Sequence, residues 1–269
     1  MALILDLDGV VWRGNDCIEG VSQAIKILRD HGQRVIFVTN NSYPTRSMVC
    51  RRLRSCGVDS SVDDIVTSSL SAATLIKIDS SVLIVGGPGI EEAVNARGAR
   101  IVKIDQKMAS GENFFPDFIF SENPEFVIVG IDPDITYTRI FAACVAIENG
   151  ATFIATNVDP TYPTDKNRLA PGAGSIVEAI KTVCKTQPII AGKPSFFISK
   201  LIKDSLKESE EIEMVVGDRI DTDGALASSL NTKFGLVLSG VINSKNEIAN
   251  IKPEIVSERL IDLVEKFFG

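Results

Sequence analysis

Two aspartates at a spacing of two, Asp6 and Asp8, close the apolar run Ala2–Leu5 and are followed at once by Gly9. In an extended chain, residues two apart point to the same side, so both carboxylates are expected to face one point in space. Carboxylates paired at the end of a buried strand repel each other and resist desolvation unless a cation lies between them. Three more polar clusters end apolar runs: Thr39-Asn40-Asn41-Ser42, Gly192-Lys193-Pro194-Ser195 and Gly217-Asp218-Arg219. In an open parallel sheet, ligands bind beyond the carboxyl ends of the strands, where groups distant in sequence can meet. Asp6, Asp8 and Asp218 offer the oxygen-only ligation that suits Mg²⁺. Lys193, the Thr39 hydroxyl and adjacent backbone N–H groups suit a phosphoryl group. A metal, an anion clamp and a carboxylate placed for attack make a phosphoryl-transfer site.

The elements that must position these groups alternate between strand and helix. Val21, Ala24, Ile25 and Leu28 form an apolar stripe at helical spacing, closed by Gly32, with His31 as a structural cation in the last turn. A strand over Arg34–Val38, a helix over about Thr45–Cys56 and another over roughly Ser69–Ile78 follow. A second α/β pattern then begins: strands at Val82–Val85, Ile101–Val102, Phe126–Val129 and Thr152–Ala155, with helices at Ile90–Arg97 and Tyr137–Ile147. Residues 103–125 and Asn157–Gly174 read as turn and loop, with Ser175 capping the next helix. Near Thr186–Pro188 the chain is expected to return to the first pattern. Strands over Pro188–Ala191, Met214–Val216 and Lys233–Leu238 then precede a final helix carrying Val256, Leu260, Leu263, Val264 and Phe267. This divides the chain into 1–78 and 188–269, which form one parallel-sheet unit, and an insert over 79–187.

At 269 residues, with 45% hydrophobic and 23% charged, the chain fits a soluble protein of two modest domains. A net charge of −7 argues against nucleic acid and anionic membranes as partners. No apolar segment approaches a membrane span, and the N-terminal run lacks the basic flank of a signal peptide. The five scattered cysteines lack CxxC spacing and histidine neighbours, so reduced, mostly buried thiols in a cytoplasmic protein are expected rather than zinc or a disulfide framework.

The set DLDGV (Asp6–Val10), TNNS (Thr39–Ser42), GKPS (Gly192–Ser195) and GDRIDTD (Gly217–Asp223), with VLSG at Val237–Gly240, resembles the haloacid dehalogenase (HAD) superfamily of phosphatases. Within it, the chain is similar to the NagD-like, p-nitrophenylphosphatase and pyridoxal phosphatase branch. The resemblance implies a Rossmann-like α/β core with an inserted α/β cap of C2 type. It also implies hydrolysis of a small phosphorylated metabolite with Mg²⁺ through an aspartyl phosphate. Residue by residue, Asp6 matches the nucleophile and Asp8 the general acid/base, whose backbone carbonyl also ligates the metal. Thr39, Asn40 and Asn41 match the phosphate-binding motif, and Lys193 matches the charge-neutralising lysine. Asp218 matches the metal-binding acid, and Asp223 a supporting acid acting through water. A homodimer through the cap is possible by the same resemblance.

Other residues read as structural. Asp221 is expected to cap a helix, Gly86-Gly87-Pro88-Gly89 to make a turn rather than a dinucleotide loop, and Trp12 and Phe114-Phe115 to lie in core or interface. Lys166 and Arg168 read as solvated surface, and substrate specificity is expected in the loops Asp132–Thr136 and Asn157–Gly174. A phosphotransferase or mutase using the same aspartyl phosphate, and a non-catalytic phosphometabolite-binding module, are the competing readings.

Overall fold

The computed structural model describes residues 1–107, 117–163, 168–240 and 252–269; Lys166, Phe114 and Phe115 lie outside them. A six-stranded parallel sheet has the spatial order Ile255–Ser257, Lys233–Val237, Ile212–Gly217, Ala2–Leu5, Arg34–Thr39, Ile65–Thr67. Ala2–Leu5 is central and wholly buried because it is apolar on both faces. Leu3 and Leu5 pack under the helices Val21–Asp30, Arg46–Ser55 and Leu260–Phe268. Ala2 and Ile4 meet Phe196–Asp204 and Ala225–Leu230 on the other side. The strand order reverses between Ala2–Leu5 and Ile212–Gly217, which makes a crevice at their carboxyl ends. Leu5 lies opposite both Phe37 and Val216, so the three strands end nearly level and deliver Asp6, Thr39 and Asp218 to one edge.

A second parallel sheet has the order Ile189–Ile190, Thr152–Ala155, Phe126–Val129, Ser81–Val85, Arg100–Ile101. Here the structure corrects the sequence reading. The strand expected over Pro188–Ala191 does not return to the larger sheet; it pairs with Thr152–Ala155, and Ala191 N–H donates to Ala155 O at 2.9 Å. Its apolar pattern identifies a strand, but two residues carry no signal for which sheet they join.

Ile65–Thr67 is a strand, and the helix after it spans Ser68–Ala73 only, capped by the Thr67 side chain. Antiparallel hairpins occupy parts of the stretches read as turn and loop: Ile104–Lys107 with Asp117–Phe120, and Thr161–Pro163 with Leu169–Pro171. The next helix starts at Ala173 rather than after Ser175, which donates instead to Pro160 O at 2.8 Å. Val256 lies in the strand before the last helix. The Gly86–Gly89 run opens the helix Pro88–Ala96 as a packing device. Gly89 N–H donates to Tyr43 O at 2.8 Å, and a side chain at Gly89 would overlap the Ser42 and Pro44 carbonyls.

The expectation of reduced thiols throughout is overturned by a disulfide between Cys17 and Cys56. A pairing 39 residues apart that only the fold creates leaves no local spacing pattern. Cys50, Cys144 and Cys184 are free, and burial pushes the Cys144 thiol up to about 12, which leaves it unreactive. Among the described residues no helix is long and apolar enough to cross a membrane.

Candidate active site

Asp6 follows the central strand directly, and its N–H donates to Val216 O at 2.9 Å, which fixes it at the crevice. The Lys193 ammonium lies 2.7 Å from Asp6 Oδ1, 2.7 Å from Asp223 Oδ1 and 3.4 Å from the Val38 carbonyl. All three side chains are buried. Asp218 ends the strand Ile212–Gly217, and side chains in place of Gly9 or Gly240 would collide with its carboxylate. Gly9 also has φ +84°, a conformation other residues rarely adopt. Single oxygens of Asp6, Asp218 and Asp223 lie within 4.8 Å of one another.

Electrostatics define what this cluster lacks. Burial pushes Asp6 well above the usual carboxylate range; Lys193 pulls it back, and the charges of Asp223 and Asp218 push it up again. Burial alone would lower the Lys193 pKa, but Asp223 and Asp6 more than reverse this and hold it raised. Three carboxylates and one ammonium leave an excess of negative charge in a buried place. A hard divalent cation bound by oxygen neutralises it, so the donor set fits Mg²⁺.

Asp8 has different partners. Its Oδ1 accepts a hydrogen bond from Trp12 Nε1 at 3.0 Å, and it is only partly buried. Burial raises its pKa, opposed by Arg52, by the Trp12 hydrogen bond and by Lys193. Its polar partners Trp12 and Arg52 thus give Asp8 a setting unlike that of Asp6, which the Lys193 ammonium touches.

Asp6, Asp8, Thr39, Asn40, Asn41, Lys193 and Asp218 all border one cavity of about 90 Å³. Asp223 stands behind it. Its Oδ1 accepts from Lys193 and its Oδ2 from Arg219 N–H at 3.2 Å, so the chain already employs both oxygens. Thr39 Oγ1 accepts from Asn41 N–H at 3.0 Å. The Asn40 side chain acts as a brace: its Oδ1 accepts from Lys193 N–H at 2.8 Å, and its Nδ2 donates to Asp159 Oδ2 at 3.0 Å.

Asp159 was not singled out from the sequence, nor were Asn157 and Arg219. All three border the cavity. Asn157 Nδ2 donates to Asn40 O at 2.7 Å, and Asp159 Oδ1 lies 3.7 Å from the Arg219 guanidinium. The signal available was a fifth polar strand end, Asn157-Val158-Asp159 after Thr152–Ala155. Of the two loops expected to carry specificity, Asn157–Gly174 reaches the cavity through Asn157, Asp159, Thr161 and Tyr162. Asp132 instead pairs with Arg139 at 2.6 Å, and only the neighbouring Ile131 borders the cavity. Asp221 pairs with Arg219 rather than capping a helix. Asp159→Ala removes the charge-assisted link between the two sheets' loops and is expected to raise KM roughly ten-fold while changing kcat less. Steady-state kinetics check this; an unchanged KM would show that the link does no work in substrate binding.

Comparison with known proteins gives matches along the whole chain. The family described as haloacid dehalogenase-like hydrolase matches residues 3–100, and one described as HAD-hydrolase-like matches residues 190–263. Phosphoglycolate phosphatase 2 of Arabidopsis thaliana is 32% identical over 275 residues, covering 97% of this chain and 91% of that protein. A p-nitrophenyl phosphatase from Archaeoglobus fulgidus superposes with a TM-score of 0.84 at 28% identity, covering 98% of each chain. A glycerol phosphate phosphatase from Mycobacterium tuberculosis, solved in complex with magnesium, superposes with a TM-score of 0.80 at 31% identity, covering 97% of this chain and 75% of that one.

Proposed function

The chain belongs to the haloacid dehalogenase-like hydrolases, as a phosphatase of that family, and from this premise we propose that it hydrolyses small phosphomonoesters through an aspartyl phosphate on Asp6, with Mg²⁺ as cofactor. The observation that carries the reading is the unequal pair: Asp6 held 2.7 Å from the Lys193 ammonium, Asp8 held apart by Trp12. Asp6, drawn toward its charged form by Lys193, attacks phosphorus. Asp8 gives its proton to the leaving oxygen, then takes one from the water that clears the intermediate. Lys193 neutralises charge on Asp6 and on the phosphoryl oxygens. Thr39, Asn40 and Asn41 line the phosphate side of the cavity, with Asn40 holding the Lys193 backbone in register.

Asp6, Asp218 and the Asp8 carbonyl would hold the metal, with Asp223 supporting them. When bound, the cation offsets charge on the nucleophile and the transferring group. We take the inserted unit, from residue 79 through the strand Ile189–Ile190, as a cap that excludes water where Asn157, Asp159, Thr161 and Tyr162 border the cavity. A second cavity, about 230 Å³, shares Asp8, Thr39 and Asn41 with the first and is walled by Tyr43, Pro44 and Met48. It offers the leaving group room beside the proton donor. Both spaces are small against sites for large ligands, which supports a small metabolite as substrate. The reading keeps the cytoplasm as the compartment.

The deciding experiment measures p-nitrophenyl phosphate hydrolysis and thermal melting with and without Mg²⁺. Chelation is expected to abolish turnover, and Mg²⁺ to raise the melting temperature by relieving the buried repulsion. Metal-independent turnover, or a melt indifferent to Mg²⁺, would sink the metal assignment. Added acceptor alcohols test the phosphotransferase reading, which would be favoured if transfer outpaced hydrolysis.

A further inference from the structure

The carboxyl assigned the proton in this reading is held from outside the cavity. Asp8 Oδ1 accepts from Trp12 Nε1, and the Arg52 guanidinium lies 4.1 Å from the centre of the Trp12 ring. Arg52 also donates to the Gly14 carbonyl, in the turn joining the hairpin strands Trp12–Arg13 and Asp16–Cys17. Each partner of the stack is tied to one half of the disulfide. Trp12 and Cys17 are cross-strand neighbours. Cys56 caps the helix that carries Arg52, and its N–H donates to the Arg52 carbonyl at 3.3 Å. A ring of contacts therefore runs from Trp12 through Cys17, Cys56 and Arg52 back to Trp12, with Asp8 hung from it. Two-residue strands hold a hairpin weakly, so beside the core packing of Trp12 and its backbone bonds to Leu7 and Gly9, this ring adds the cross-link from hairpin to helix.

We propose that Trp12 is a positioning residue for Asp8, and that the Cys17–Cys56 disulfide holds it reversibly, so that turnover responds to thiol–disulfide exchange. This rests on the acid/base role given to Asp8 above. With Oδ1 pinned by the indole, Oδ2 is the oxygen left to face the leaving group, and catalysis is steep in such placement. Cys17 is exposed and Cys56 is buried, so a dithiol reductant meets Cys17 first. Its thiolate attacks the Cys17 sulfur, the S–S bond breaks, and the electron pair leaves on the Cys56 sulfur, which takes a proton. The reductant's second thiol then displaces Cys17. Two electrons have passed to the protein, which gains two thiols, and the dithiol has become a disulfide. The hairpin then keeps its core packing and the Arg52 contacts but loses its covalent tie to the helix, and the indole holds the carboxyl less tightly. In a reducing compartment an exposed disulfide of this kind is a control element rather than a permanent staple.

Trp12 is the only tryptophan in the chain, so its emission reports on the link directly. The full-length, Mg²⁺-loaded protein is equilibrated across a dithiothreitol redox series, and kcat, KM and Trp12 emission are recorded. Reduction is expected to lower kcat about ten-fold, to leave KM within about two-fold, and to shift the emission with the same midpoint. Cys17→Ser under oxidising conditions should match the reduced wild type, and Cys184→Ser should keep the full response. Trp12→Phe should be slow in both states and lose its redox response, because the link is cut. Oxidised-level kcat and emission in Cys17→Ser would overturn the proposal, as would an emission shift without a change in kcat, or a full redox response in Trp12→Phe. Failure of the phosphatase reading looks different: turnover is absent from oxidised wild type. Even then an emission shift on reduction supports the link, and its absence overturns it.

Discussion

Replacing Asp6 by Asn is expected to lower kcat for p-nitrophenyl phosphate by at least about 10⁴-fold while leaving the fold intact. The amide cannot form the acyl phosphate, and no other carboxylate can take its place. Asp223 is held by Lys193 and the Arg219 N–H, and Asp218 is packed against Gly9 and Gly240. The change also removes one negative charge from a crowded buried cluster, so the melting temperature in the absence of metal should stay level or rise. Acid quenching during turnover of labelled substrate gives a second check: the wild type should retain phosphate on the protein, and the variant none. Hydrolysis at the wild-type rate by the variant would make the assigned nucleophile wrong.

Lys193→Met is expected to damage both activity and stability. The ammonium is the shared partner of Asp6 and Asp223, each at 2.7 Å, and all three are buried. Breaking a buried ion pair by removing one partner typically costs about 3–5 kcal/mol, because the other charge is left uncompensated. Asp6, already pushed well above the usual carboxylate range by burial, would then lose the influence that pulls it down. That favours its protonated form, which cannot attack. We expect kcat/KM to fall by about 10³-fold or more, with a lowered melting temperature that Mg²⁺ only partly restores. Lys193→Arg should not rescue, since the planar fork does not reproduce a compact point charge between two carboxylates. A variant with normal kcat/KM would remove Lys193 from the mechanism.

The groups that the sequence revealed share a physical signature: polar residues at the ends of apolar runs. Asp6, Thr39, Lys193 and Asp218 stand out because a buried strand does not end in charge without a reason, and they do converge. Asn40 was legible as a site residue but not as a brace, because its partners Lys193 and Asp159 come from other parts of the chain. Asp159 and Arg219 were missed for the same reason: their contact forms only when the two sheets face each other. The Cys17–Cys56 bond was unreadable because pairing depends on where a hairpin folds back, not on local spacing. Ile189–Ile190 was recognised as a strand but assigned to the wrong sheet, since two residues cannot declare a partner.

The lysine of the charge cluster is carried on a segment that hangs from the edge of the smaller sheet, while both of its carboxylates belong to the larger one. The smaller sheet is therefore not a detachable lid. An engineer who trims residues 79–187 to widen the entrance, or grafts in a foreign insert to change the substrate, also removes the anchorage of Lys193. Transplants should succeed only when they keep an open edge equivalent to Thr152–Ala155, on which Ile189 and Ile190 can lie.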